Sequence, residues 1–222
     1  MDGCTVKMKN GQGFVKGCFN LVLMSFGFIV NVVVAEDSLS TLMQRMKSDT
    51  AVKIAYQETR VLELLDQPWQ GSGFMYSLPP DLMIREQLQP QRLLMGVKAD
   101  RMFYYDPVSD VRHQGEMDEG DSMSLNFAVF KALINADEAL LLSLYQVEFS
   151  TAEQGWEMTL KNKHEMDSGF SIVVSGLPEQ QANKISIKQA DGDSSEFLLQ
   201  KNNAGDAIKK TVQQLHQELL GE

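Results

Sequence analysis

Of the 222 residues only two are cysteine, Cys4 and Cys18, and both precede residue 36. Residues 36–222 therefore offer neither a disulfide framework nor a thiol nucleophile. Histidine is almost as scarce. His113, His164 and His216 stand apart in sequence, and His164-Glu165 lacks the second histidine of a zincin helix, so zinc chemistry has no ligand set to draw on. No Gly-x-Ser-x-Gly elbow, phosphate-cradling loop or dinucleotide fingerprint occurs in residues 36–222; Gly11-Gln12-Gly13 comes earlier and follows no strand. These absences lead us to expect a protein that is not an enzyme and binds no metal or cofactor. A hydrolase whose Ser, His and Asp meet only in space is the alternative within catalysis. Basic charge is also short, with 20 Lys and Arg against 30 Asp and Glu. A body of this sign is repelled by phosphate backbones and anionic headgroups, and no basic stripe with interleaved aromatics occurs, so no nucleic-acid partner is expected.

One long apolar run is present. Residues 19–34 carry no charge, follow Lys7, Lys9 and Lys16, and end in Val33-Val34-Ala35. A basic start, an apolar stretch and small residues at its end are the outline of a secretory signal peptide, so we expect residues 1–35 to be cleaved near Ala35. The run is short for a membrane span of ~20 residues, although an uncleaved anchor is the alternative. Cys18 follows Phe14-Val15-Lys16-Gly17, and that lysine argues against a lipidated N-terminus. Residues 1–35 hold three of the 20 basic and one of the 30 acidic residues, which leaves −12 on residues 36–222. We expect these 187 residues to form a single monomeric domain in the periplasm.

The apolar spacing within that domain changes period several times. Leu39, Leu42, Met43 and Met46 recur at helical spacing behind Ser38, a suitable N-cap. From residue 50 the period becomes two, with Val52, Ile54 and Tyr56 on one face and Lys53 and Gln57 on the other. Alternation resumes at Phe74, Tyr76 and Leu78, breaks at Pro79-Pro80-Asp81, and continues through Leu82, Ile84 and Leu88 around Arg85 and Gln87. Leu93, Met95 and Val97, residues 101–105 and a segment near Val111 extend the series. Trp156, Met158 and Leu160, then Phe170, Ile172 and Val174, then Ile185 and Ile187 repeat it, and Asp191-Gly192 supplies a hairpin turn before residues 195–200. Between the groups, residues 124–144 read as two short helices broken near residues 135–137, and a last helix is expected over residues 206–220. The fold class is therefore α+β, a large curved antiparallel sheet with one wet face, covered by a few helices on the other. Two acidic clusters, Glu116, Asp118, Glu119 and Asp121, and Asp191, Asp193 and Glu196, lack calcium-loop spacing and read as solvated turns.

Several short motifs carry a resemblance. Tyr56-Gln57-Glu58, then Gly71-Ser72-Gly73-Phe74-Met75-Tyr76, then Pro80, then residues 96–100 and Phe103-Tyr104-Tyr105-Asp106-Pro107 are similar in order to the outer-membrane lipoprotein carrier (LolA-like) family. The resemblance implies a half-open β-barrel covered by helices, whose apolar interior accepts acyl chains, with an inner-membrane donor and an outer-membrane acceptor as partners. Two departures mark the chain as divergent. The family's arginine before the strand-ending proline is replaced by Pro79, and a helix ending near Leu220 stands where the carrier has an extra strand and tail. Both put lipoprotein itself in doubt as cargo and suggest another lipid or a lipid-linked product.

The acyl-cavity lining expected on this basis comprises Tyr56, Phe74, Tyr76, Leu78, Leu82, Ile84, Met95, Met102, Tyr104, Trp156, Met158, Phe170, Ile172, Ile185 and Ile187, with residues 124–144 as lid. Ordinary core packing is the alternative for each of them, and a register slip of one residue would invert a whole strand. The many methionines suit a cavity that adapts to its ligand and equally suit an irregular core. A periplasmic sensor or adaptor that uses the same half-barrel to bind a protein partner is the second reading.

Overall fold

The computed structural model describes residues 38–117, 122–163 and 169–222. The expected signal peptide, His164-Glu165 and most of the acidic segment after Glu116 lie outside the described residues. The chain opens with helix α1 (Leu39–Met46), where the Ser38 hydroxyl accepts the Thr41 N–H at 3.1 Å and Leu42, Met43 and Met46 are buried. Six strands follow as a meander: β1 (Val52–Val61), β2 (Trp69–Leu78), β3 (Leu82–Gln89), β4 (Leu93–Lys98), β5 (Arg101–Asp106) and β6 (Val111–Glu116). Helices α2 (Ser122–Asn135) and α3 (Glu138–Leu144) come next, and Asp137 caps the second by accepting the Leu140 N–H at 3.0 Å. A second meander contains β7 (Tyr145–Ala152), β8 (Gly155–Asn162), β9 (Ser171–Gly176), β10 (Ala182–Lys188) and β11 (Ser194–Ala204). Helix α4 (Asp206–Leu220) ends the chain, stopped by Gly221 in the left-handed region at φ 79°.

All eleven strands join one antiparallel sheet in the order β6-β5-β4-β3-β2-β1-β11-β10-β9-β8-β7. The two meanders meet where β1 pairs with β11, bringing Tyr56 opposite Leu199 and Glu58 opposite Phe197. The end strands β6 and β7 are not paired with each other, so the barrel is half open. Strand β7 is absent from the sequence expectation, although Tyr145, Val147 and Phe149 alternate with Gln146, Glu148 and Ser150. Its helical prelude in α3 masks the change of period.

Apolar side chains pack in two layers, one on each face of the sheet. On the inner face, α1, α2 and α3 cover Tyr56, Met75, Met83, Val97, Trp156, Met158, Leu160, Ile172, Ile185 and Phe197. On the outer face, Ile208, Val212, Leu215 and Leu219 of α4 cover Tyr76, Leu82, Ile84, Leu94, Phe103 and Tyr105. Helices on one side only, and a single wet face, therefore hold for the β7–β10 half and fail for β2–β5. Strand β8 shows the first pattern, with Trp156, Met158 and Leu160 buried and Glu157 exposed. Strand β3 shows the second, with Leu82, Met83, Ile84 and Arg85 all buried in succession. Gly96 permits the close seat of α4, since a Cβ there would lie 2.8 Å from Leu219 Cδ1.

His216 on α4 meets Phe103 edge to face at 6.0 Å. Burial, then the charge of Lys98, holds its imidazole below the usual histidine range, against opposing pulls from Glu222 and Asp81. The folded chain thus prefers the neutral ring, and the unfolded chain takes up the proton first as pH falls. Stability is highest above the unfolded histidine value of ~6.5 and declines below it. Denaturant midpoints should fall between about pH 7 and pH 5 in the wild type, with that part of the slope missing in His216→Gln.

Candidate functional site

Packing on the inner face is uneven. Over β8 and β9 the core is solid, and Met158, Leu160, Ile172 and Val174 have no exposed surface. Toward β3–β6 the helical cover runs out, and β6 is exposed along its whole length. Phe127 and Phe130 of α2 reach the sheet at this boundary, and Phe130 meets Phe197 edge to face at 4.9 Å. Beside them lies a cavity of about 230 Å³, whose apolar wall is Leu62, Met83, Met95, Phe127, Phe130, Ile187 and Phe197. Met95 also borders a wider, more open hollow of about 500 Å³ over β5 and β6, lined by Met102, Tyr104, Val111 and His113. A third hollow, about 520 Å³, opens under the C-terminal end of α2 beside α1, between Met46, Val52, Ile54, Leu133 and Ile134 and the facing Ala182, Ile185 and Leu199. Helix α2 is tied to the sheet at that end. The Ser77 hydroxyl donates to the Asn135 side-chain carbonyl, and Lys131 Nζ donates to the Ala99 carbonyl at 2.9 Å.

The remaining wall of the 230 Å³ cavity is polar: Glu58, Arg60, Arg85, Gln189 and Ser195. Glu58 is 2% exposed and its carboxylate bridges two guanidiniums, with Oε2 accepting from Arg85 Nη2 and Oε1 accepting from Arg60 Nε at 2.5 Å. Arg85 is itself buried. Its Nε donates to the Tyr56 hydroxyl at 3.0 Å, Nη2 also reaches Gln87 Oε1 at 3.4 Å, and the guanidinium lies 5.0 Å from the Tyr56 ring centre. Arg60 stacks on Trp69 at 4.7 Å and is about one third exposed. Burial drives the Tyr56 hydroxyl above its ordinary range despite the pull of Arg85. Tyr56 therefore stays neutral here and acts as an acceptor for Arg85.

Ten of the fifteen expected lining residues sit on the inner face, but only some border open space. Met95 and Ile187 line the 230 Å³ cavity, Met102 and Tyr104 continue the hollow beyond Met95, and Ile185 borders the third. Tyr56, Trp156, Met158 and Ile172 are buried in the packed core, and Phe170 packs against it. The other five are Phe74, Tyr76, Leu78, Leu82 and Ile84. They face α4 on the opposite side of the sheet, where the Tyr76 hydroxyl donates to Glu86 at 3.2 Å and Lys53 Nζ stands 3.5 Å above the Phe74 ring. The reason is that β2 and β3 are apolar on both faces, so alternation alone does not say which set turns inward.

The sequence reading did not assign Glu58, Arg60, Met83, Arg85, Phe127, Phe130 or Phe197 to the cavity. Arg85 and Gln87 stand there as wet-face residues. A signal was nevertheless present, because Glu58 continues the Val52, Ile54 and Tyr56 face and Arg85 continues the Met83 face. Among the described residues, no group of three or more His, Cys, Asp and Glu side chains is placed to hold a metal ion. Among them, too, no helix is long and apolar enough to cross a membrane.

No family model and no curated protein matches the chain. Similar solved structures are to be found. A DUF1329 family protein from Desulfovibrio piger superposes with a TM-score of 0.46 at 10% identity, covering 73% of this chain and 88% of that one. A LolA superfamily protein from Nitrosomonas europaea gives 0.43 at 7% identity, covering 77% and 96%. The lipoprotein LppX of Mycobacterium tuberculosis gives 0.41 at 12% identity, covering 76% and 97%. Identity is low throughout. The likeness does not bear on what this chain binds.

Removing Arg85 would leave Glu58 buried with one partially exposed counter-ion. Arg85→Met should therefore destabilise the protein by about 3 kcal/mol in chemical denaturation, and Glu58→Gln/Arg85→Met should recover a large part of that loss.

Proposed function

We propose that the protein is a periplasmic carrier that holds acyl chains of a lipoprotein or another lipid beneath α2 and hands them on toward the outer membrane. In this reading it works as a monomer without catalysis, takes cargo from an inner-membrane donor and yields it to an outer-membrane acceptor. Export would be served by residues 1–35, cleaved near Ala35. The observation that carries the reading is the uneven packing under the sheet. The same inner face that is solid over β8 and β9 leaves apolar space at Met83, Met95, Phe127 and Phe130, and Met95 borders a second hollow at Met102 and Tyr104.

The physical chemistry of such a carrier needs no reactive group. Each methylene moved from water into an apolar cavity gains ~0.8 kcal/mol, so binding has ample driving force and release is the harder step. Where no ATP is at hand, cargo moves down a gradient of affinity, and the carrier has to bind less tightly than the acceptor. A helix held by a few contacts and free to shift between packed and open arrangements sets that intermediate affinity. In α2 the phenylalanines between helix and sheet are the contacts such a chain would displace. An adaptor that binds only protein predicts a filled interior; the space at Met95 favours cargo.

Protein purified without detergent and extracted with organic solvent should release lipid detectable by mass spectrometry. Met95→Trp should abolish uptake of a fluorescent fatty acid while leaving the melting temperature nearly unchanged. Lipid-free protein that also refuses the fatty acid would overturn the proposal.

A further inference from the structure

The polar wall of the 230 Å³ cavity carries more positive than negative charge. Both oxygens of Glu58 are committed, one to Arg60 and one to Arg85, so one carboxylate faces two guanidiniums. Arg85 directs Nε to Tyr56 and Nη2 to Glu58 and Gln87. Two guanidiniums that share one carboxylate beside an apolar wall are incompletely neutralised, and an anion would complete them. A purely structural brace between β1 and β3 would need one arginine; the second is held in place by stacking on Trp69. The excess charge is local, because the whole chain carries −10.

We propose that this wall is a headgroup subsite, and that the ligand is a single-chain amphiphile with an acidic head, either carboxylate or phosphate. The inference rests on the carrier reading and names the class of cargo. The acid head accepts hydrogen bonds from Arg85 and Arg60, and Tyr56 and Gln87 keep Arg85 oriented. The tail runs over Met83 and Met95 and leaves through the open hollow toward Tyr104. One chain fits better than several, because 230 Å³ falls below the roughly 300–1,000 Å³ usual for pockets that enclose a drug-sized ligand.

The test compares dodecanoate, dodecyl phosphate, dodecanol and inorganic phosphate, each below any micelle concentration, by displacement of the neutral dye Nile red and by calorimetry on the purified protein. Both acidic amphiphiles should bind at least about tenfold more tightly than dodecanol, as expected for charge-assisted hydrogen bonds in a sheltered site. Arg60→Gln, which leaves the Arg85–Glu58 pair intact, should weaken binding of both acids severalfold more than binding of dodecanol. Equal affinity for acid and alcohol would overturn the headgroup subsite and leave the carrier reading standing. An Arg60→Gln effect equal on acid and alcohol would do the same. Inorganic phosphate binding as tightly as dodecyl phosphate would show an ion site and overturn the amphiphile. Failure of all four to bind would overturn both.

Discussion

Because β1 hydrogen-bonds to β2 on one side and to β11 on the other, it is the seam through which two separate meanders become one sheet, and the rest of the structure depends on that pairing. Its register sets Tyr56 and Glu58 on the inner face and turns Lys53 outward over Phe74. Glu58 then holds Arg85 from β3 and Arg60 from its own strand, so the seam also fixes the polar wall of the cavity. Such pairing between distant parts of the chain is expensive in chain entropy. It is supported here by an apolar layer on each face of the sheet.

The two layers have different consequences. Helix α4 closes the outer face of β2–β5 with Val212 and Leu215, so that part of the sheet is stiffened from behind. Helices α1 to α3 close the inner face only as far as Phe127 and Phe130, and the strands beyond them, held firm from outside, keep their inward side chains next to space. A sheet backed in this way can hold a hollow open without collapsing into it, since the outer helix contributes the burial that the inner face forgoes. The methionines at 83, 95 and 102 border that space, and their unbranched side chains can pack there in several ways.

Much of this architecture was legible in the sequence because it depends on periodicity. Helix α1 begins behind its Ser38 cap, α4 spans the residues its apolar stripe marks out, and the strands follow the alternation of Val52, Ile54 and Tyr56 or of Trp156, Met158 and Leu160. What could not be read was which way a doubly apolar strand turns. Phe74, Tyr76, Leu82 and Ile84 form as good an apolar row as Met75 and Met83, and only the position of α4 decides between them. Charge misled in a second way. Arg85 looks like a solvent-facing residue until its partners, 27 and 29 positions away in Glu58 and Tyr56, are known. Pairs between distant strands are fixed by topology, and local pattern does not contain topology.

The central claim is that an alkyl chain lies on the inner face at Met83 and Met95. Methyl-labelled methionine gives the most direct measurement, through nuclear Overhauser contacts between bound dodecanoate and the protein. The expected result is contacts to the Met83 and Met95 methyls and none to Met158, which is sealed in the solid half. Contacts to Met158 alone, or none to Met83 and Met95 in the presence of bound ligand, would contradict it.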